Sequence, residues 1–299
     1  MKKLPLFCLF PLLIFLLSAC GPQEEQGADA SAGEIVVAME PDKDPDAMLA
    51  DRKALEAYLA DATGRRIEAM IPISSVVIFE GLRNGSIDVA YLSATAAAKL
   101  FESDVVDILL AELIDGEPHY PSYWITLKDA PYQSVADLEG EPIAFSSRTS
   151  TSGFLIPVWD LYRQGLIDLE GGPEGFFGEG NVHYGVGYVS AAERVLDGSA
   201  EAAAVSYYVL DKDKHLSAEQ RDRLRMLDSQ GPVPSHVVVV RRGLDDAAKG
   251  EIREALLAMN RDAVALRDRI FGAELAPAEA EAHLSTMREA LEISRDMEF

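Results

Sequence analysis

Cysteine is nearly absent from this chain. Its 299 residues include two, Cys8 and Cys20, both close to the N-terminus. A folded region without thiols has neither a disulfide staple nor a thiolate metal site. Basic side chains are also scarce, with 27 Lys and Arg against 50 Asp and Glu and a formal net charge of −23 at pH 7. That balance has the wrong sign for nucleic acid or an anionic membrane surface. It also repels anions at long range, so a bound anion must be held by local dipoles, helped by salt screening. Common enzyme signatures are missing: there is no His-Glu-x-x-His, Cys-x-x-Cys, Gly-x-Ser-x-Gly elbow or P-loop. The histidines, His119, His183, His215, His236 and His283, form no i, i+4 pair that would chelate zinc. His183 reads as a structural strand residue, and His215 and His283 as solvated residues of charged helices. Gly185-x-Gly187 lacks the third glycine of a dinucleotide fingerprint, Ser190 standing in its place. Neither a cofactor nor a metal is expected.

Long apolar runs are rare too. Residues 4–17 form one, short of the roughly 20 residues that a membrane-spanning helix needs. Lys2 and Lys3 precede it and Leu17-Ser18-Ala19-Cys20-Gly21 follows, the layout of a secretory signal over residues 1–19. A cysteine directly after Leu-Ser-Ala resembles the bacterial lipobox, which implies acylation of Cys20 and an extracytoplasmic, membrane-anchored lipoprotein. Residues 20–33 are small, polar and unpatterned, as expected of a flexible tether.

From Glu34 onward the pattern is regular. A hydrophobic content of 48% suits a packed core, and the length suits two domains. Short β-prone runs at 35–38, 66–70, 88–92 and 105–110 alternate with helical segments at 46–60, 76–83 and 96–101. A second alternation covers 123–127, 142–145, 154–165, 181–183, 190–196 and 202–205, interrupted by a Gly-rich acidic loop at 168–180. Runs at 224–227 and 237–240 read as return strands, and 244–270 and 277–297 as amphipathic helices. The fold class is therefore α/β, with mostly parallel sheets flanked by helices. Ligands of such sheets lie beyond the carboxyl ends of the strands. In the first half this directs attention to loops 39–46, 72–75 and 93–95, in which Ser75, Ser93 and Thr95 serve either as helix caps or as ligand contacts.

The most informative stretch is Ser146-Ser147-Arg148-Thr149-Ser150-Thr151-Ser152-Gly153, between the strand ending at Phe145 and the helix opening at Phe154. The first amides of a helix lack intrahelical partners and carry the positive end of its dipole. Four consecutive hydroxyl residues, a glycine open to close approach and Arg148 suit an oxyanion there. The alternative is an ordinary capped helix, for which one hydroxyl suffices.

Ser150-Thr151-Ser152-Gly153-Phe154-Leu155-Ile156-Pro157 also resembles the signature of the solute-binding lipoproteins of phosphonate, phosphite and phosphate ABC importers. Arg83-Asn84-Gly85-Ser86-Ile87-Asp88-Val89-Ala90-Tyr91 and Tyr120-Pro121-Ser122-Tyr123-Trp124 are similar to further segments of that family. The resemblance implies a two-lobed periplasmic-binding-protein fold of type II-like form, with a hinge of two crossings. Residues 34–120 and 225–299 would form one lobe and 121–224 the other. It implies a monomer that binds a small phosphorus oxyanion in the interlobe cleft and delivers it to permease subunits, without catalysis. An extracytoplasmic enzyme, or a sensor subunit on the same fold, is the alternative. The ligand-binding residues so implied are Thr149, Ser150, Thr151, Ser152 and Gly153, with Ser75, Ser93, Tyr91, Tyr120, Tyr188 and His236 around them. In relatives that bind aminoalkylphosphonates, an acidic residue that pairs with the ligand amine aligns with His236. Glu117 and Asp46 are the acids nearest to that side in sequence, and the expectation is an amine-free ligand.

Overall fold

The computed structural model describes residues 33–39, 45–212 and 215–297, the side chains of 45–47 excepted. The signal, Cys20, the tether and the middle of loop 39–46 lie outside the described residues. The first alternation is β1 (Ile35–Ala38), α1 (Pro45–Thr63), β2 (Ile67–Met70), α2 (Ser75–Asn84), β3 (Val89–Leu92), α3 (Ala94–Glu102) and β4 (Val106–Leu113). Next come β5 (His119–Leu127), β6 (Ile143–Phe145), α4 (Ile156–Arg163), α5 (Gly172–Phe177), β7 (Val182–Tyr184), α6 (Tyr188–Leu196) and β8 (Ala202–Ser206). The short α7 (Tyr208–Asp211) and α8 (Ala218–Asp222) lead to β9 (Leu224–Pro234). The chain closes with β10 (Val237–Arg241), α9 (Asp246–Asp262), α10 (Val264–Phe271), β11 (Glu274–Ala276) and α11 (Ala280–Asp296).

Two sheets result, one ordered β11-β4-β10-β3-β1-β2 and the other β7-β6-β8-β5-β9. In the first, β1 to β4 share a direction, and β10 and β11 run against them. In the second, β5 alone opposes the rest. The expected parallel character therefore holds for β1 to β4 and for β6 to β9, but β10 and β11 in the first sheet and β5 in the second make both sheets mixed. Val237 to Val240 are all buried, as befits β10 between β3 and β4.

Several boundaries differ from the sequence reading. β9 pairs with β5 as far as His119–Pro234, so the second sheet extends past residue 224 and the chain returns to the first sheet at Ser235 and His236. The 168–180 loop contains α5, and the 244–270 helix breaks at Ala263, whose φ of −144° is not helical. β11 is three residues long, too short for a periodic signal.

Packing follows from these layers. α1, α9 and α10 cover one face of the first sheet through Leu55, Leu59, Ile252 and Phe271. α6 covers one face of the second through Ala191, Ala192 and Val195. The remaining faces share one core, which runs from Leu92 and Leu100 past Leu284 and Met287 of α11 to Trp124 and Phe145. The C-terminal helix thus joins the two halves through buried side chains.

Candidate ligand-binding site

The carboxyl ends of β6, β7 and β8 and the start of β5 meet at one edge of the second sheet, as strand direction requires. From this edge project Ser150 and Ser152, Tyr188, Tyr207 and Tyr120. Ser150 caps the turn, its hydroxyl accepting from the Gly153 N–H at 3.0 Å. Residues Thr151–Leu155 wind as one wide π-helical turn before α4, and Leu155 N–H donates to the Ser150 carbonyl at 3.0 Å. Thr151 and Ser152 open this turn, where amides have no intrahelical carbonyl to bond.

The Ser152 hydroxyl is fully buried. The Tyr188 hydroxyl lies 2.8 Å from it and the Tyr120 hydroxyl donates to it at 3.4 Å, while Ser150 donates to Tyr188 at 3.4 Å. Below, Ser122 donates to the Ser152 carbonyl at 2.6 Å and receives the Gln230 amide at 3.0 Å. Four hydroxyls therefore sit within bonding reach of one another on a braced backbone. Each carries one rotatable proton, so the group can turn several donors toward an incoming acceptor. Burial, and then Tyr188, drive the Tyr120 phenol far above its ordinary pKa of 10.0, and burial with Tyr188 and Tyr120 does the same to Tyr208. These phenols stay protonated donors at any physiological pH.

Across from this edge the first sheet presents the ends of β3 and β4 and the start of β10. Ser93 caps α3, accepting from Ala96 N–H at 3.4 Å. The buried Thr95 and Thr151 hydroxyls lie 2.7 Å apart, so the starts of α3 and of the signature turn touch. Tyr91 donates to Glu112 at 3.1 Å and to the Phe271 carbonyl at 2.9 Å, and its ring packs against that of His236, centroids 5.3 Å apart. His236 Nδ1 is 3.9 Å from the Glu112 carboxylate. A cavity of about 660 Å³ is lined by these three residues together with Tyr120, Tyr207 and Tyr208 of the second half. Glu112 helps push up the Tyr207 phenol, to about 12, behind burial and Asp115. At 5.9 Å the Lys212 ammonium lies over the Tyr207 ring.

The structure thus brings together Ser150, Thr151, Ser152, Gly153, Tyr120 and Tyr188 on one side, with Tyr91 and His236 on the cavity wall and Ser93 beside the touching threonines. Thr149 and Ser75 are exposed, and neither has a described contact with the cluster. Thr149 lies 3.4 Å from Ser147, and Ser75 simply follows the N-cap Ser74 of α2. A Cβ at Gly153 would stand 2.4 Å from Ser146 Oγ and 2.8 Å from Ser150 Oγ, so the tight turn itself requires glycine. Arg148 lies over the Tyr184 ring at 3.8 Å from its centroid. His215 and His283 are not solvated helix residues. His215 stacks on Tyr208 at 5.0 Å, and the half-buried His283 lies 3.2 Å from the Ser235 carbonyl.

Glu112 is the residue that sequence reasoning missed. It is 8% exposed and faces the side on which no acid was expected, which removes the ground for an amine-free ligand. Glu117, by contrast, is exposed, 3.8 Å from His119, and Asp46 lies in α1 where side chains are not described. The available signal was a lone acid following Ile108-Leu109-Leu110-Ala111. Apolar patterning ends the strand at Leu110, whereas β4 continues to Leu113 and so includes Glu112.

Comparison with known proteins closes the question of kinship. Residues 37–283 match the family described as the phosphonate periplasmic substrate-binding protein of ABC transporters. The phosphonates-binding periplasmic protein of Escherichia coli is 25% identical over 63% of this chain, the match taking in 55% of that relative. The phosphate-import protein PhnD of Mycolicibacterium smegmatis is 24% identical over 66% of this chain and 63% of its own length. This chain therefore aligns with less than two thirds of either relative. The structure of PhnD1 from Prochlorococcus marinus in complex with methylphosphonate superposes with a TM-score of 0.69 over 88% of this chain and 98% of the other, at 15% identity. That likeness carries the fold, two lobes of α/β structure joined where the chain passes from β4 to β5 and from β9 to β10. By its sequence match over most of its length, the chain belongs to the family of periplasmic substrate-binding proteins of phosphonate ABC transporters.

Proposed function

We propose that this protein captures a small phosphorus oxyanion, phosphate, phosphite or a phosphonate, at the 150–153 turn and hands it to the permease subunits of an ABC importer. The observation that carries this reading is the buried Ser152 hydroxyl, met by Tyr188 at 2.8 Å and Tyr120 at 3.4 Å above the first amides of a helix. A mono- or dianionic phosphorus oxyanion is acceptor-rich, and neutral donors hold it without the cost of a buried unpaired cation when the site is empty. Residues 34–120 with 235–299, and 121–234, are the proposed lobes, closing about the two crossings. No step of covalent chemistry is assigned, and the protein acts as a monomer.

Calorimetric titration with phosphate, phosphite and methylphosphonate tests the proposal. A bond from a neutral donor to a charged oxygen is worth about 1.5–3 kcal/mol, so Ser152→Ala should weaken binding roughly 10- to 150-fold. Unchanged affinity in Ser152→Ala, or no binding of any of the three, removes the oxyanion from this turn. Family membership implies an extracytoplasmic place of work. The finer proposal is attachment through acylated Cys20 after removal of residues 1–19. Mass spectrometry of the membrane fraction should then find a lipid on Cys20, and Cys20→Ser should release the protein from the membrane. An unmodified Cys20 in that fraction would refute the anchor.

A further inference from the structure

Among the described residues, the two most exposed large hydrophobic side chains are Ile73, 92% exposed, and Val186, 95% exposed. Aliphatic residues scattered singly over a surface are ordinary and call for no explanation. These two are not scattered. Ile73 lies in the loop between β2 and α2, close to Val76 at 67% exposure, and Val186 lies in the loop between β7 and α6.

Strand direction puts both loops on the cleft. β2 runs parallel to β1 and so with β3, whose carboxyl end leads to Ser93 and Thr95. β7 runs parallel to β6, whose carboxyl end leads into the 150–153 turn. Strand order then puts both loops at the lip farthest from the crossings. Outward from the crossing strand, the first sheet runs β10, β3, β1, β2 and the second runs β5, β8, β6, β7. Each loop therefore stands three strands from the hinge, about 14 Å at the usual spacing of neighbouring strands. Loops on facing lips at equal distance from a hinge approach each other when the lobes close.

Backbone bonds fix the two loops. Ser190 accepts from the Val186 N–H at 3.0 Å and the Gly187 N–H at 3.3 Å, and the Gly185 N–H donates to the Phe145 carbonyl at 2.9 Å. On the other lip Pro72 is buried, and the Ser74 carbonyl accepts from the Val77 N–H at 3.1 Å. Tyr188, two residues beyond Val186, reaches Ser150 and Ser152, which ties this lip to the hydroxyl turn.

We infer that Ile73 and Val76 meet Val186 when the lobes close, forming an apolar latch across the mouth of the cleft that stabilises the closed form without touching the ligand. This rests on the proposed closure around an oxyanion at the 150–153 turn. Because the latch acts on the closed population, it tightens every ligand by the same factor.

The absence of cysteine after Cys20 makes the contact directly testable. In the full chain carrying Ile73→Cys and Val186→Cys, mild oxidation should join the two positions, since a disulfide needs Cα atoms within about 7 Å, and phosphate should speed the joining severalfold. Peptide mapping by mass spectrometry identifies the 73–186 bridge and separates it from any bridge to Cys20. Ile73→Cys with Met226→Cys should give no bridge, because Met226 is exposed near the end of β9 away from the cleft. Separately, Val186→Ser should weaken phosphate and methylphosphonate alike by about tenfold, the scale of one aliphatic side chain leaving a contact. Adding Ile73→Ser should then cost little more, since its partner is already gone. Thermal melting of the unliganded protein should not move, as neither side chain belongs to the core. No 73–186 bridge with or without phosphate overturns the latch, as do losses that add in the double variant. Unchanged affinity in Val186→Ser also overturns it and, if uptake by cells is lost, assigns the lip to the permease. A parent that binds no phosphorus compound while the 73–186 bridge still forms overturns the oxyanion reading and leaves the latch standing.

Discussion

The two walls of the cleft handle polarity differently. On the second lobe, the 150–153 turn gathers neutral hydroxyls that bond to one another around the buried Ser152 and rest on a backbone fixed by Ser122 and Gln230. On the first lobe, the Tyr91, Glu112 and His236 wall places a carboxylate among rings beside a roomy cavity. The first wall is local in part, since the turn supplies Ser150 and Ser152 while Tyr120 comes from β5 and Tyr188 from α6. The second is assembled from β3, β4 and β10, three elements far apart in the chain. Substitutions in the turn should therefore act on any phosphorus oxyanion, and those in the wall should discriminate among substituents.

The sharpest way to break the comparison is to deform the turn. Gly153→Ala places a Cβ 2.4 Å from Ser146 Oγ and 2.5 Å from Ser146 Cβ. Overpacking of that kind costs about 1–3 kcal/mol and displaces Ser150 and Ser152 together. Denaturant melts should show the loss, and titration should show oxyanion binding abolished. Combining it with Ser146→Gly should recover part of the stability, and no recovery would mean that the clash lies elsewhere.

A smaller effect is expected where the lobes touch. Thr95→Val keeps shape but leaves the Thr151 hydroxyl without its 2.7 Å partner, costing about 1 kcal/mol. Because the contact bridges the two halves, the loss should appear in the affinity for phosphate more than in the melting of the empty protein. An equal loss in both would make Thr95 an ordinary core residue.

The smallest effect is a pH dependence at the crossing. Burial draws His283 below its ordinary pKa of 6.5, with the Ser235 carbonyl opposing and His119 adding to the depression. Above pH 6.5 the ring is neutral in both folded and unfolded chains and contributes no slope. As pH falls through 6.5 the unfolded ring binds a proton that the folded ring resists, so stability declines with acidification. His183, lowered by burial and then by Arg194, acts in the same direction. His283→Gln should flatten the acid limb of the stability curve between pH 6.5 and 5 relative to the parent, and an unaltered slope would assign it to His183.

Much of the fold was legible because its signals are local. Val237-Val238-Val239-Val240 and Ala202-Ala203-Ala204-Val205 announce buried strands by composition, and Ser74, Ser93 and Ser150 stand where helices begin. What local pattern could not carry was partner choice. β9 and β10 read alike as return strands, yet β9 pairs with β5 and β10 lies between β3 and β4. Period and propensity describe a strand's faces and say nothing about which edge it joins.

The same division holds at the site. Sequence by itself determined the hydroxyl-rich turn, because consecutive hydroxyls and the amides that open a helix are all encoded within a few residues. It also determined that the region after Cys20 holds no thiol, since cysteine is missing from it. Tertiary structure decided the rest. It set Glu112 beside His236, turned Thr149 away from the hydroxyl cluster, assigned Gly153 to Ser146 and surrounded one cavity with rings from both lobes. The first and last of those outcomes depend on contacts between segments more than a hundred residues apart, and only packing and register, acting on the whole chain, select which of them form.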